Sequence, residues 1–320
     1  MNSRSFSVLL FAALAAAPQL ARASCGSATC PIDPQSLNLP MPGQWTFDLS
    51  FQYIDQDRLQ HGRNEIARPA PPSEGELEIR TINRITSLSA SYGLSPDLFL
   101  SASLPYVSRS HAHFDGGAFE TFHLDGIGDG SLAARYRFLP DVWGGLSVKL
   151  PTGSRSSANA EGDEAEPTIA PGTGSTDVSL SAVYQSTASV RSLTYGPLGN
   201  VAAMPWFVGV TARRNGKGTK DYRSGNEIQV NAGANYPVLE SFQVLFQLNY
   251  RARTKDDVGK TDAVRDDTGG TFLYASPGLR FAFTPKAALY GYVQIPIYQR
   301  INGVNIASRY NLFGGLQVRL

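Results

Sequence analysis

The sequence predicts an all-β protein: a closed antiparallel transmembrane β-barrel of about 12 strands, with short turns at one rim and long loops at the other. Three observations predict it. After residue 44, apolar and polar side chains alternate with period two, in segments near the ten or so residues a tilted strand needs to cross a bilayer. The connections between segments alternate between short and long. Nothing after residue 23 approaches the roughly 18 consecutive apolar residues of a spanning helix. A chain that crosses lipid without helices must close into a barrel, because lipid satisfies no free backbone group.

The strands are read at 44–55, 77–94, 98–108, 128–139, 142–151, 176–186, 204–214, 226–236, 241–253, 271–283, 287–300 and 309–320. Trp45, Phe47, Leu49, Phe51 and Tyr53 form one face of the first, and Thr46, Asp48, Ser50 and Gln52 the other. In strand 241–253, Gln243, Gln247, Asn249, Arg251 and Arg253 alternate with Phe242, Val244, Phe246, Leu248 and Tyr250. A soluble sandwich needs a second apolar layer, and these opposite faces are too polar to supply one. The tight connections are 95–97, 140–141, 237–240 and 284–286; the long ones are 56–76, 109–127, 152–175, 215–225, 254–270 and 301–308. Short turns are periplasmic and long loops extracellular in bacterial outer-membrane barrels. Connection 187–203 is too long for its rim and is read as hiding extensions of both flanking strands. In 77–94 the apolar parity is broken, with Ile79 and Ile85 on one face and Ile82, Leu88 and Tyr92 on the other; a β-bulge accounts for this, or a strand end standing above the membrane.

Residues 1–23 read as a signal peptide: Arg4, an apolar run from Val8 to Ala17, then Ala21-Arg22-Ala23 before Ser24. Its removal takes away Arg4 and Arg22 and no acid, moving the formal charge from +1 to −1. That balance excludes the basic excess of a nucleic-acid binder. Residues 24–43 form a periplasmic N-terminal segment carrying Cys25 and Cys30, and 44–320 the barrel. In an oxidising compartment the two cysteines read as a local disulfide. Arg22 stands where a lipid-attachment signal wants an apolar residue, which disfavours lipidation of Cys25.

On the lumen-facing parity lie Arg135, Arg137, Lys149, Arg213, Arg251, Arg253, Arg280 and Arg319, against the acids Asp48, Asp177 and Glu227. One reading is an anion-enriching field; the other is that these cations pair with loop acids and merely fill the interior. Gly126, Gly128 and Asp129, and Gly172, Gly174 and Asp177, start two similar strands. Gly172-Thr173-Gly174-Ser175 lacks the lysine and helix of a phosphate loop, so structural pinning of the rim is the expectation. His111, His113 and His123 share a predicted external loop with Asp115 and Asp125, and Glu161, Asp163, Glu164 and Glu166 form an acidic run. Both read as solvated loop chemistry, with metal or divalent-cation binding as the sharper alternative. No Ser–His pair falls on a predicted strand, so no enzyme and no cofactor are expected.

Three stretches resemble the outer-membrane transporter family named after the MetA protein of phenol-degradation gene clusters. They are Gly126-Ile127-Gly128-Asp129 running into Ala134-Arg135-Tyr136-Arg137-Phe138; Val148-Lys149-Leu150-Pro151-Thr152-Gly153 followed by Gly172-Thr173-Gly174-Ser175-Thr176-Asp177; and Ser276-Pro277-Gly278-Leu279-Arg280 with Gln294-Ile295-Pro296-Ile297-Tyr298-Gln299-Arg300-Ile301-Asn302-Gly303. The resemblance implies an outer-membrane barrel that passes hydrophobic or aromatic compounds. The partners expected are outer-membrane lipid and lipopolysaccharide, the barrel-assembly machinery and a small organic solute, with no nucleic acid. A structural or adhesion barrel acting through its loops is the alternative, and an outer-membrane hydrolase the less favoured one. For the mature chain, intact mass spectrometry should show Cys25 and Cys30 bridged and no lipid attached; two alkylatable thiols, or a diacylglyceryl mass, would overturn that.

Overall fold

In the computed structural model of the protein, residues 31–33, 37, 39–70, 76–115, 117–155, 158, 162, 165–191, 201–261, 263 and 265–320 are described. The signal peptide, Cys25, Cys30, Glu161, Asp163 and Glu164 lie outside them. Fourteen strands form one antiparallel sheet: β1 Trp45–His61, β2 Asn64–Glu65, β3 Glu76–Gly93, β4 Leu98–Asp115, β5 Ala118–Ile127, β6 Ser131–Leu139, β7 Val142–Lys149, β8 Asp177–Arg191, β9 Val201–Arg214, β10 Glu227–Pro237, β11 Phe242–Arg253, β12 Gly270–Thr284, β13 Ala287–Ile301 and β14 Val304–Arg319. The barrel has 12 staves. β2 is a small flap on β1, and β5 and β6 follow one another along β4 as a single interrupted stave.

Closure is made by β14 on β1, from Thr46↔Arg319 to His61↔Val304. Leu312, Leu316 and Val318 lie opposite Tyr53, Leu49 and Phe47, so the apolar parity of the last strand continues that of the first. The burial pattern is the reverse of a soluble protein's. Leu49, Phe51, Leu88, Leu104, Leu132 and Phe246 are exposed, while Ser50, Gln52, Ser87, Ser89, Ser103 and Gln247 are buried. An apolar exterior around a polar interior is stable only where the exterior meets lipid. Tyr136 and Phe138, in edge contact at 5.0 Å, and Trp45 and Tyr92, at 4.8 Å, place aromatics where the outer wall meets the short-turn rim.

The strand extensions differ from the sequence reading at the loop rim. Residues 109–127 are not a loop: β4 continues to Asp115 and β5 returns along it from Ala118. Residues 301–308 are not a loop either, because β14 begins at Val304 directly after a turn at Asn302 and Gly303. β1 runs on to His61. Above the membrane a strand no longer needs an apolar outer face, so the alternation fades while the ladder continues. At the other rim, β8 and β9 pair as far as Arg191↔Val201, which absorbs both ends of the overlong 187–203 connection.

The broken parity of 77–94 has two causes. A register shift falls between Glu78 and Arg80. Ile85 points inward, where it packs with Ile54 and Val107 in a small apolar layer within the lumen. Pro296, which cannot donate to a ladder, sits at the register shift between Leu273 and Tyr274. A closed barrel of this kind should migrate faster on gels before boiling than after, and should float with outer membranes on density gradients. Recovery as a detergent-independent periplasmic protein would sink the assignment.

Candidate functional site: the lumen

The lumen is built in layers from the short-turn rim upward. In the lowest, Ile32, Asp33, Leu37 and Leu39 from the chain before β1 lie inside the barrel. Ile32 packs with Leu245, Tyr290, Tyr292 and Phe313. Across the lumen, Leu37 and Leu39 pack on Phe99, Trp143, Val183 and Phe207. The Gln247 side-chain amide holds Asp33 by both backbone groups: Nε2 donates to Asp33 O at 2.7 Å, and Asp33 N–H donates to Oε1 at 3.1 Å. Arg135 is buried 3.7 Å from the Asp33 carboxylate, with its guanidinium over the Phe99 ring. Part of the segment read as periplasmic therefore runs through the barrel. Periodicity could not have found it, because it forms no regular element.

The other predicted lumen cations divide by height. Arg137 is at the lower rim, paired with Asp97 at 2.6 Å and stacked on Trp143. Arg280 reaches Gln317 at 3.2 Å, and Arg319 is half-buried near it. Asp48, nearby, accepts the Tyr290 hydroxyl at 2.9 Å. In the middle, Asn249 bridges Asn231 and Ser276. At the upper mouth, Arg251 pairs with Glu227, which also accepts from Gln229, and Arg213 donates to Ser179. Arg253 pairs with Asp256 at 2.8 Å. Asp256 also accepts the Tyr222 hydroxyl from the β9–β10 loop. Burial and the Asp256 carboxylate push the Tyr222 phenol well above its ordinary pKa, so it stays a donor. Between the two readings of the lumen cations, the geometry supports pairing at Arg135, Lys149, Arg251 and Arg253.

Lys149 sits where the two glycine motifs meet. Its Nζ lies 2.9 Å from both Asp129 and Asp177. Asp129 also accepts from Gly153 N–H at 3.0 Å and Thr173 N–H at 2.9 Å, and Asp177 from Gly216 N–H at 3.0 Å. The β7–β8 connection is thereby tied to the wall at both ends. Gly153 and Gly172 cross so closely that a Cβ on either would come within 2.7 Å of the other's backbone. Gly128 packs under Pro105 and Pro171, Gly126 under Ser154, and Gly174 takes a left-handed φ of 73°. Further along the same connection, Ala165 and Ile169 pack on Phe122 and Leu124, and Arg109 grips the carbonyls of Thr168, Ile169 and Ala170. This loop folds inward and narrows the mouth.

The histidines part company. His111 and His113 are on β4, not in a loop, and face inward. His113 Nδ1 and His111 Nε2 share a hydrogen bond at 2.8 Å, His111 Nδ1 meets Thr81 at 2.8 Å, and Glu78 and Glu120 flank the pair at 3.6 Å. With their facing nitrogens joined to each other, the rings do not converge on a shared point. His123, Asp115 and Asp125 are exposed elsewhere on the hairpin, and Glu166 bonds Thr168. A solvent-open cleft lies under the loops, lined by Leu59, Leu77, Ile306, Glu78, Tyr222 and Asp256.

No family model and no curated protein matches the chain. Among solved structures it resembles an outer-membrane channel from Pseudomonas putida F1, with a TM-score of 0.66 at 15% identity over 91% of this chain and 100% of that one. That likeness shows the fold. The NanC porin (TM-score 0.44, 11% identity, 86% of this chain and 100% of that one) and a mutant of the TodX monoaromatic hydrocarbon channel (0.43, 10%, 93% and 96%) superpose too loosely to bear on more.

Lys149→Met should strand two buried carboxylates. Removing one partner of a buried ion pair costs about 3–5 kcal/mol, read as a lower urea midpoint for unfolding from lipid vesicles. Asp129→Asn with Lys149→Met should recover part of that loss, and an additive double variant would refute the coupling.

Proposed function

We propose that this chain is an outer-membrane channel of the MetA-like family that passes small hydrophobic or aromatic organic molecules. The observation that carries the reading is the lower lumen. Two aromatic and aliphatic clusters, Tyr290–Tyr292–Phe313–Leu245 and Phe99–Trp143–Val183–Phe207, line opposite sides of the barrel, with Ile32 packed on the first and Leu37 and Leu39 on the second. Polar interiors are what a channel for hydrated solutes requires. Apolar rings inside the barrel wall instead offer surface to a solute that prefers to leave water. At the upper mouth Glu227 and Asp256 pair with Arg251 and Arg253, which weakens the attraction those two arginines offer to anions.

The second reading, a structural or adhesion barrel, is favoured by one observation: the N-terminal segment and the infolded 165–170 stretch occupy the lumen. The two readings separate in a planar bilayer. A channel whose segment can yield should conduct weakly as wild type, and removal of residues 31–39 should raise its conductance several-fold. It should also speed entry of a labelled monoaromatic probe into liposomes. A truncated barrel that stays silent and impermeable to the probe excludes transport. Within the channel reading, Glu227→Gln frees Arg251 and Arg213 from their counter-charge, so reversal potentials in low salt should move toward anions. At ~0.1 M the Debye length of about 10 Å leaves that field unscreened.

A further inference from the structure

The outer wall carries a feature that passage of solute does not use. On four neighbouring staves the outward side chains change from apolar to charged toward the loop rim. On β1 the change comes after Tyr53, at Asp55 and Asp57, and on β3 at Arg84 and Arg80. On β14 it comes above Tyr310, at Arg309; on β13 it comes above Ile295 and Ile297, at Arg300. Tyr53 stands opposite Arg84 in the ladder, so the arginine tier begins on the aromatic boundary. In a membrane barrel that boundary is the level of the lipid headgroups. On the loop side, the headgroups belong to the outer leaflet.

The tier pairs some of its guanidinium groups with carboxylates and holds others without one. Asp55 clamps Arg80 through two bonds of 2.9 and 2.6 Å, and Asp57 and Glu65 hold Arg309 at 3.5 and 3.1 Å. Arg84 lies over the Tyr53 ring and Arg63 over the Tyr298 ring, at 5.9 and 5.0 Å, which fixes both without consuming their charge. Arg300 and Arg84 have no ion pair among the described residues. Arg68, just past the flap, bonds the carbonyl oxygens of Asp57 and Ile79. Positive charge therefore exceeds negative on this face, at the one depth where phosphate is concentrated. A planar guanidinium suits bidentate phosphate recognition. Arg80 and Arg84, four residues apart on one strand face, stand about 13 Å apart along the stave, too far for one phosphate and suited to two carried on one headgroup.

From this geometry we propose that the β13–β14–β1–β3 face binds a diphosphorylated glycolipid of the outer leaflet, with Arg84, Arg80, Arg300 and Arg309 holding its phosphates and Leu312, Ile295 and Leu88 meeting its acyl chains. The proposal rests on the membrane-barrel reading and is independent of what the lumen carries.

The test uses the full-length barrel in detergent micelles, titrated with diphosphoryl lipid A, monophosphoryl lipid A or phosphatidylglycerol. The readouts are native mass spectrometry and the temperature at which the folded gel form is lost. Wild type should retain diphosphoryl lipid A at least ten-fold more tightly than either alternative. Arg84→Glu with Arg300→Glu should lose that preference. The milder Arg84→Gln with Arg300→Gln should weaken binding several-fold and guards against misfolding of the charge-reversed chain. Arg214→Glu, at the exposed loop end of β9, changes charge away from the face and should bind as wild type. Equal loss in Arg214→Glu reduces the effect to net charge, and equal binding of phosphatidylglycerol reduces it to any anionic lipid; either result overturns the proposal. A folded, heat-modifiable barrel that binds no lipid A overturns it too, and leaves the barrel and its proposed channel function standing.

Discussion

The ladder between β14 and β1 is the constraint on which the other features depend. Once the sheet closes, no edge remains, and every side chain must point either to lipid or into the lumen. The register settles which. Leu316 beside Leu49 and Val318 beside Phe47 make the outer wall apolar across the seam, and that forces Gln317, Asn311 and their neighbours inward. A slip of one residue would turn Gln317 and Asn311 to lipid and both leucines into the lumen. Because the outer wall is apolar where it meets lipid, the interior receives most of the polar residues of the membrane-spanning strands and must satisfy them in a narrow space.

β11 shows how this is done in a single stave. From bottom to top its inward residues are Leu245, Gln247, Asn249, Arg251 and Arg253. Leu245 meets Ile32; Gln247 holds the Asp33 backbone; Asn249 bridges two staves; Arg251 takes Glu227; and Arg253 takes Asp256. Buried ion pairs of this kind add little net stability, since desolvation offsets their attraction, but losing one partner is costly. They therefore act as constraints. The acids that answer the strand arginines come largely from outside the barrel strands: Asp33 from the N-terminal segment, Asp256 from a loop, Asp129 from the break between β5 and β6. Each pairing ties an irregular segment to the wall, so charge neutralisation and narrowing of the lumen are the same event.

That origin explains what the sequence could and could not reveal. Strand parity was legible because period-two alternation is a local signal, and it assigned Arg135, Lys149, Arg251 and Arg253 to the buried side where they lie. The counter-charges were not, because Asp33 and Arg135 are about a hundred residues apart and no local pattern joins them. Strand ends failed where the membrane ends. Outward Ser108 and Ser110 on β4 carry no apolar signal, so His111 and His113 looked like loop residues although the ladder continues to Asp115. The glycine motifs were legible as rim geometry. Their convergence on Lys149 was not, since it depends on how two loops cross at Gly153 and Gly172.

The lower lumen then poses a definite physical problem for passage. The segment at 31–33 is held by two amide hydrogen bonds to Gln247, by Arg135 against Asp33 and by burial of Ile32. Individually such hydrogen bonds contribute about 1 kcal/mol, and full burial of an isoleucine about 1.5–3 kcal/mol. The total is a few kcal/mol, well below what holds a stave in the wall. A hydrated ion gains nothing from the rings that Ile32 covers and has no differential affinity with which to displace it. On the proposed channel function an aromatic solute does, because it can occupy the space between Tyr290, Tyr292 and Phe313 that Ile32 vacates. On that function, the packing that narrows the lumen to water and ions is open to competition by molecules that resemble the side chain closing it.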